Sequence, residues 1–298
     1  AASAAADGKS YTIGICQLVE HAALDAATQG FEDALTEQFG DNVKFDFQNA
    51  QNDSATCATI ANGFVSAGVD LIMANATPAL QAAQAATNSI PILGTSVTEY
   101  GVALGLTDFD GTVGGNVSGT SDLAPLDQQA EMIAEWLPDA KKVGLLYCTA
   151  ESNSDVQIKA AKKELDKLGL EYTDFTVSSS NEIQSVVESA VGKVDALYSP
   201  TDNTIAAGAS QVGQICKENK LPFVTGEEGM CMAGGLFTLS INYEDLGYAA
   251  GEMAVKILKG EAKPEDMPIK HLSSKDLVVV KNDEMAEALG IDLSALDA

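Results

Sequence analysis

Arginine is absent from the 298-residue chain, and all 17 of its basic residues are lysine. The chain therefore lacks the planar guanidinium that clamps carboxylates and phosphates through two parallel hydrogen bonds. Basic residues of any kind are scarce, because 43 acidic residues leave a formal net charge of -26. Such a charge repels phosphate backbones and anionic headgroups, so we expect no nucleic-acid partner. An anionic ligand group would have to be held in some other way.

The residues and motifs of catalysis are also scarce. The chain has two histidines and no H-E-x-x-H sequence, and its five cysteines show no C-x-x-C spacing. It has no phosphate loop, no G-x-G-x-x-G after the first predicted strand and no G-x-S-x-G nucleophile elbow. We therefore predict no metal, no cofactor and no enzymatic activity, and we interpret the cysteines as buried free thiols. No apolar run reaches the roughly 18 residues that span a bilayer.

Short apolar segments alternate with helical patterns, which is typical of βαβ units and a parallel sheet. YTIGICQ at position 11 predicts a first strand, and the next segment places Leu24, Phe31, Leu35 and Phe39 on one helical stripe. VKFDFQNA, VDLIMANA and IPILGTS predict the strands that follow. The fold class is α/β.

A second series of segments repeats the first at an offset of about 130 residues, the signature of an internal duplication. KVGLLYC at 142 matches YTIGICQ, VDALYSPTDN at 194 matches VDLIMANATP at 69, and LPFVTG at 221 matches IPILGT at 90. The sequence therefore predicts two similar lobes, each with a doubly wound parallel sheet. The Gly/Ser/Thr-rich stretch from Gly111 to Asp122 is interpreted as a crossover between them.

Polar residues follow most of the predicted strands, where open α/β sheets bind their ligands. Thr77 precedes Pro78 at a predicted helix start and Asp202 stands at the matching place in the second half, whereas Ser96 matches the Glu227–Glu228 turn. Hydroxyls and helix N–H groups accept a carboxylate, and acidic side chains accept an ammonium group. The pattern favours a zwitterionic amino acid or a small cation, with helix capping and solvated surface as the alternative explanations.

Several segments together resemble the substrate-binding proteins of ABC importers, specifically the tryptophan/tyrosine transport family. The resemblance runs from about Tyr11 to Leu293 and is carried by ICQLVEHAALDAATQGFEDAL, FQNAQND, VDLIMANATPALQAA, GNVSGTSDLAP, LYCTAESNS, ALYSPTDNT, GEEGM and INYEDLG.

The resemblance implies a type I periplasmic-binding fold with a three-crossover hinge near Gly119, Leu236 and Ile269. On that basis we predict a tether at 1–10, lobe 1 at 11–118 plus 237–268, and lobe 2 at 119–236 plus 269–298. Family membership further implies a monomer that closes on an amino acid in the cleft, aromatic by family preference, and delivers it to a membrane permease. It also implies an extracytoplasmic protein, either periplasmic or a Gram-positive cell-surface lipoprotein.

The family's cleft motifs point to nine ligand-binding residues in this sequence. They are Gln17, Thr77, Ser96, Ser121, Asp122, Asn153, Asp202, Asn203 and Glu228. Two other functions remain open at this point. One is a binding protein or sensor for a small amine or other polar solute, and the other is an enzyme using Asp202 or Glu228 as a base, which would lack a nucleophile, metal or cofactor.

Overall fold

Strands and helices alternate along the chain, as the apolar pattern predicts. The structure is a computed structural model and describes residues 9–273 and 276–294. Its strands are β1 (Tyr11–Gln17), β2 (Val43–Asn49), β3 (Leu71–Asn75), β4 (Ile92–Val97), β5 (Val117–Ser121), β6 (Lys142–Cys148), β7 (Glu171–Val177), β8 (Ala196–Ser199), β9 (Phe223–Thr225), β10 (Phe237–Ile241), β11 (Lys270–His271) and β12 (Leu277–Lys281). Its α-helices are α1 (Ala22–Phe39), α2 (Ser54–Ala67), α3 (Thr77–Ala86), α4 (Tyr100–Ala103), α5 (Leu126–Trp136), α6 (Ser152–Leu168), α7 (Ile183–Ala190), α8 (Asn203–Ala207), α9 (Ala209–Glu218), α10 (Glu228–Gly234), α11 (Tyr243–Leu258) and α12 (Asp283–Leu289). None of these helices is long and apolar enough to cross a membrane.

The chain divides into two compact units. Among the described residues, unit 1 comprises 9–123 and 242–273, and unit 2 comprises 124–241 and 276–294. The chain therefore passes from one unit to the other three times.

Unit 1 contains a six-stranded sheet in the order β11-β5-β4-β3-β1-β2, with every neighbouring pair parallel. Helices α1 and α11 supply one of its cores, in which Phe31, Leu35 and Phe39 pack with Ile13 and Ile15 of β1. The predicted apolar stripe of α1 is confirmed for these three helix residues, whereas the fourth, Leu24, is buried in the second core. Helices α2 and α3 supply the second core.

Unit 2 contains a four-stranded parallel sheet in the order β7-β6-β8-β9. This order repeats β2-β1-β3-β4 of unit 1, so the two matching segment series have folded into the same strand topology. The predicted duplication is confirmed in this respect. Unit 2 adds an antiparallel pair, β10 with β12, which the duplication does not require.

The predicted lobe boundaries are wrong by about five residues at each crossing, and strand pairing gives the reason. Residues 119–121, expected in lobe 2, lie in β5 and pair with β4 of unit 1. Residues 237–241, expected in lobe 1, form β10, whose partner β12 belongs to unit 2. Residues 270–271, expected in lobe 2, form β11 and pair with β5. The proposed tether at 1–10 lies outside the described residues except for Lys9 and Ser10.

Helices α1 and α11 approach so closely that their backbones touch. A Cβ atom on Gly247 of α11 would overlap the carbonyl oxygen of Ala27, and one on Gly30 of α1 would overlap that of Glu244. Glycine is therefore required at this helix crossing because no side chain fits between the two backbones.

Candidate ligand-binding residues

At the carboxyl end of β1, Gln17 is fully buried and its amide is used within unit 1. Its Nε2 donates to the Val19 carbonyl at 2.9 Å and to an Asp25 carboxylate oxygen at 2.6 Å, and its Oε1 accepts from the Thr28 hydroxyl at 2.6 Å. Asn75, at the end of β3, donates to Thr28 Oγ1 at 3.0 Å. This buried network fixes α1 against the strand ends, so Gln17 positions the edge of the sheet.

The predicted ligand residues Thr77 and Ser96 lie at the ends of neighbouring strands. Asn75 pairs with Thr95 in the β3–β4 ladder, which brings the segments after these residues side by side. The expected hydroxyl cap of α3 is wrong, because the N-cap is Ala76 and Thr77 is the first helical residue. Among the residues that the structure describes, no side chain caps the amino terminus of α3, so its first N–H groups are available to an anion.

Two features single out this strand edge. Ala76 has φ 87° and ψ 159°, a conformation that is normally left to glycine, and Ser96 has φ 53°. Strained backbone of this kind persists where the surrounding fold imposes it and clusters at binding sites. The Ser96 hydroxyl is buried, with its residue 6% exposed, and its Oγ has no hydrogen-bond partner among the described residues. A buried hydroxyl without a protein partner is rare, which makes Ser96 a candidate for contact with a ligand.

Ser121 and Asp122 belong to a buried network at the end of β5. Thr98 Oγ1 donates to Asp122 Oδ1 at 3.1 Å, and the Tyr243 hydroxyl donates to Oδ2 at 2.8 Å. Ser121 Oγ donates to the Thr98 carbonyl at 2.9 Å. Burial raises the pKa of Asp122, and the Tyr243 and Thr98 hydrogen bonds oppose that rise. The sequence did not single out Tyr243, although it lies in the quoted segment INYEDLG.

In unit 2 the most heavily bonded carboxylate is Glu151, which sequence reasoning missed. Its Oε2 accepts from the Asn203 backbone N–H at 3.0 Å, from Asn203 Nδ2 at 2.8 Å and from Asn153 Nδ2 at 3.0 Å. Its Oε1 accepts from both the backbone N–H and the hydroxyl of Thr204 at 2.8 Å. The signal available in the sequence was its position between strand β6 and the SNS start of α6.

Asp202 is the N-cap of α8, as its place before a helix predicted. Its Oδ1 accepts from the Ile205 backbone N–H at 2.9 Å, and its Oδ2 accepts from Cys148 N and Ser154 Oγ, each at 2.7 Å. Burial, followed by the charge of Glu151, raises the pKa of Asp202 to about 8. Its oxygens are therefore occupied by protein donors.

Asn153 and Asn203, both predicted ligand residues, surround Glu151. The Asn153 amide nitrogen donates to Glu151 and to the Thr201 carbonyl at 3.2 Å. Its Oδ1 is buried and has no partner among the described residues. This oxygen is an acceptor with free capacity beside two buried carboxylates.

Glu228 stands apart from these clusters. It is exposed at the start of α10, and its backbone N–H donates to Ser240 Oγ at 3.0 Å. The buried residue of the pair is Glu227, which caps α10 through the N–H groups of Gly229 and Met230. Glu227, the buried glutamate of this turn, therefore has a structural role as the cap of α10.

Lysine does not neutralise the buried carboxylates. Within residues 9–273 and 276–294, the lysine ion pairs involve other partners, and none includes Asp122, Glu151 or Asp202. In the same part of the chain, no group of three or more His, Cys, Asp or Glu side chains could hold a metal ion. Buried charge in unit 2 therefore lacks a protein cation.

Comparison with known proteins identifies the family to which the chain belongs. Residues 12–295 match the model of the ABC transporter substrate binding protein family. The chain is 42% identical over 293 residues to a tyrosine-binding protein of Clostridioides difficile (strain R20291), which covers 97% of this chain and 83% of that relative.

Two solved structures cover nearly the whole chain. An ABC domain from Streptococcus pneumoniae in complex with L-Trp is 38% identical, with a TM-score of 0.91, and the match covers 97% of this chain and 98% of that one. The ligand-free, open structure of a substrate-binding protein with adhesive properties from Clostridium difficile is 45% identical, with a TM-score of 0.71, and covers 95% of each chain.

Proposed function

Because this chain belongs to the ABC transporter substrate binding protein family, we propose that it captures a free α-amino acid, with aromatic side chains preferred. Its fold is the type I periplasmic-binding fold that the resemblance predicts. Substrate-binding proteins of ABC importers are extracytoplasmic, and so is this one. Delivery to a membrane permease, action as a monomer and lipid anchoring stay predictions from the resemblance.

The observation that carries the proposal is the pair of buried carboxylates in unit 2, Glu151 and Asp202, with which no lysine of the described residues forms an ion pair. Two neighbouring buried carboxylates cost free energy to ionise together unless a cation compensates them, and the raised pKa of Asp202 reflects this cost. A ligand ammonium group supplies that charge and donates a hydrogen bond to the free Oδ1 of Asn153. These residues form the ammonium subsite of the proposal.

Unit 1 offers the complementary chemistry for a carboxylate. The unpartnered Ser96 hydroxyl and the Thr77 hydroxyl lie at neighbouring strand ends, and α3 presents an uncapped amino terminus there. Hydroxyl and N–H donors at a helix start bind anions without arginine. We therefore propose that these hydroxyl and N–H groups of unit 1 form a carboxylate subsite.

The aromatic preference is supported by the relatives, one of which is called a tyrosine-binding protein and another of which is in complex with L-Trp. The alternative ligand is a small amine, which would need only the carboxylates of unit 2. We also propose that the ligand leaves chemically unchanged, since the described residues present no nucleophile paired with a base at these strand ends.

Calorimetric titration with three matched ligands tests the proposal. L-tryptophan or L-tyrosine is expected to bind much more tightly than the corresponding amine, which lacks the carboxylate, or the deaminated acid, which lacks the ammonium group. Equal affinity for the amine and the amino acid would favour the amine alternative. Mass spectrometry of the ligand recovered after incubation checks that no reaction has occurred.

The carboxylate subsite has its own test in the double variant Thr77→Ala with Ser96→Ala. Hydrogen bonds to charged groups contribute about 1.5–3 kcal/mol each, so affinity for the amino acid should fall by at least about tenfold. Affinity for the matching amine should change little. Thr59→Ala, which removes an exposed hydroxyl of α2, is the control variant. Equal losses for amine and amino acid would contradict the assignment.

A further inference from the structure

A cavity of about 560 Å³ lies in unit 2 at the amino ends of its parallel strands. Its walls come from the segments that precede β6, β8 and β9 and from the residues that follow α12. Glu151 and Asp202 follow the carboxyl ends of β6 and β8, so the cavity lies at the opposite edge of the sheet from the proposed ammonium subsite. Its volume falls in the range of about 300–1,000 Å³ that small-molecule sites occupy.

The floor of the cavity is apolar. Leu137, Val194 and Leu221 are buried there, and the cavity is also lined by Trp136, the one tryptophan of the chain, which is half-buried. Trp136 packs against the apolar core of unit 2, which holds its indole in place. An indole offers apolar area to an aromatic or aliphatic body and attracts a cation to its ring face.

Acidic residues outnumber basic ones at the rim of the cavity. The lining contains three exposed aspartates, Asp139, Asp195 and Asp292, and one lysine, Lys220. The ammonium groups of Lys220 and of the nearby Lys141 donate to backbone carbonyls. No lysine of the described residues forms an ion pair with any of the three aspartates. The rim therefore favours a positively charged group.

The internal duplication shows why this edge is open in unit 2. Leu221, which precedes β9, matches Ile90, which precedes β4 of unit 1. In unit 1 the Asn116 amide donates to the Ile90 carbonyl at 2.7 Å, and the strand that follows, β5, extends the sheet beyond β4. The parallel sheet of unit 2, as far as the structure describes it, ends at β9. No fifth strand therefore covers the amino end of β9.

We propose that this cavity is a second ligand site, which takes a small organic cation with an aromatic or aliphatic body. The cationic group lies among the three carboxylates of the rim, and the body covers the Trp136 indole and the apolar floor. An anion is disfavoured because the chain has no arginine and both neighbouring lysines are engaged by carbonyls. The proposal does not depend on the amino-acid site at the other edge of the sheet.

The test uses three small molecules that share an aromatic body, namely 2-phenylethylamine, 2-phenylethanol and 3-phenylpropionate. Because Trp136 is the only tryptophan, its fluorescence reports directly on this cavity. The amine is expected to change that fluorescence saturably, with a dissociation constant about tenfold below those of the alcohol and the acid. No saturable change with any of the three, or equal affinity for amine and alcohol, would overturn the proposal.

Matched variants locate the bound amine. Asp139→Lys should weaken its binding by about tenfold through charge reversal at the rim. Glu188→Lys makes the same change on an exposed residue of α7 outside the lining and should bind the amine as the wild type does. Glu151→Gln should keep the fluorescence response to the amine even though it alters the proposed amino-acid site. Unchanged affinity in Asp139→Lys, or a lost response in Glu151→Gln, would overturn the proposal.

Discussion

At the scale of single residues, Glu151 gives the most direct test of the proposed ammonium subsite. Its two oxygens accept five hydrogen bonds from Asn153, Asn203 and Thr204, and no lysine of the described residues is paired with it. The Glu151 carboxylate is therefore held by hydrogen-bond donors and not by a lysine of the described residues.

Glu151→Gln is expected to lower affinity for the amino acid by about 30-fold or more, because losing one member of a buried charge pair typically costs 2–5 kcal/mol. Affinity for the deaminated acid should change much less. Glu182→Gln is the matched control, since Glu182 also accepts from a backbone N–H and a hydroxyl but is exposed. Titration calorimetry measures both, and an equal effect of the two variants would contradict the ammonium subsite.

The protonation of Asp202 gives a second prediction at this scale. Its pKa of about 8 in the folded state lies above the value of about 3.9 in an unfolded chain. Between these values the folded state holds more protons, so the contribution of Asp202 to stability falls as pH rises through about 8. Asp202→Asn should therefore flatten the decline in the free energy of unfolding between pH 5.5 and pH 8.

Ligand binding should show the opposite pH dependence. An ammonium group stabilises the charged carboxylate, so binding releases a proton and affinity rises by up to about tenfold per pH unit below pH 8. Denaturant unfolding at several pH values measures the effect on stability. Calorimetry in buffers of different ionisation enthalpy measures the proton released on binding. Identical pH profiles for the wild type and Asp202→Asn would show that this carboxylate does not titrate in that range.

The sequence was sufficient to locate the strand ends, but it identified only some of the residues that form hydrogen-bond networks there. Asp202 and Asn203 were identified because a strand precedes them and a helix follows them. Glu151 and Tyr243 were missed because their importance arises from hydrogen bonds to Thr204 and Asp122, far away in the chain. Such pairings depend on the fold and leave no local pattern in the sequence.

At the scale of elements, the duplicated strand order was predictable because parallel strands buried on both faces are continuous apolar runs. Strand β5 was not, since its sequence VSGTS has the small polar residues of a linker. It is nevertheless completely buried, paired with β4 and β11. Its polar side chains are satisfied by hydrogen bonds such as that of Ser118 Oγ to the Met267 carbonyl, at 2.8 Å, which only the fold reveals.

The α1–α11 crossing provides a test of packing at this scale. Gly247→Ala should destabilise unit 1 by about 1–3 kcal/mol or more, because the added methyl group meets the Ala27 backbone. Gly63→Ala in α2 is the matched control, since its methyl group would meet no atom within 4 Å and alanine favours a helix by about 0.5–1 kcal/mol. The urea concentration at the midpoint of unfolding should therefore fall for Gly247→Ala and rise for Gly63→Ala. A shift in the same direction for both variants would mean that the helices can separate at little cost.

At the scale of the whole molecule, the net charge and the path of the chain between the units bear on how ligand binding changes stability. The net charge of -26 disfavours compact structure through repulsion, and a zwitterion adds no net charge of its own while its ammonium group compensates the proposed subsite in unit 2. The chain crosses three times between the units, so each unit is built from segments distant in sequence. A gain in the stability of one unit therefore stabilises segments from both halves of the sequence.

The final prediction is that a bound aromatic amino acid protects both units from unfolding. A ligand at one hundred times its dissociation constant adds about 2.7 kcal/mol to the stability of whatever it binds. Hydrogen exchange should then slow at Thr77 to Leu80 in unit 1 and at Asn153 to Gln157 in unit 2, where the two proposed subsites lie. The matching amine should protect the second segment more than the first, because it has no carboxylate for Thr77 and Ser96. Protection confined to one unit by the amino acid itself would show that the other unit contributes no contact to the ligand.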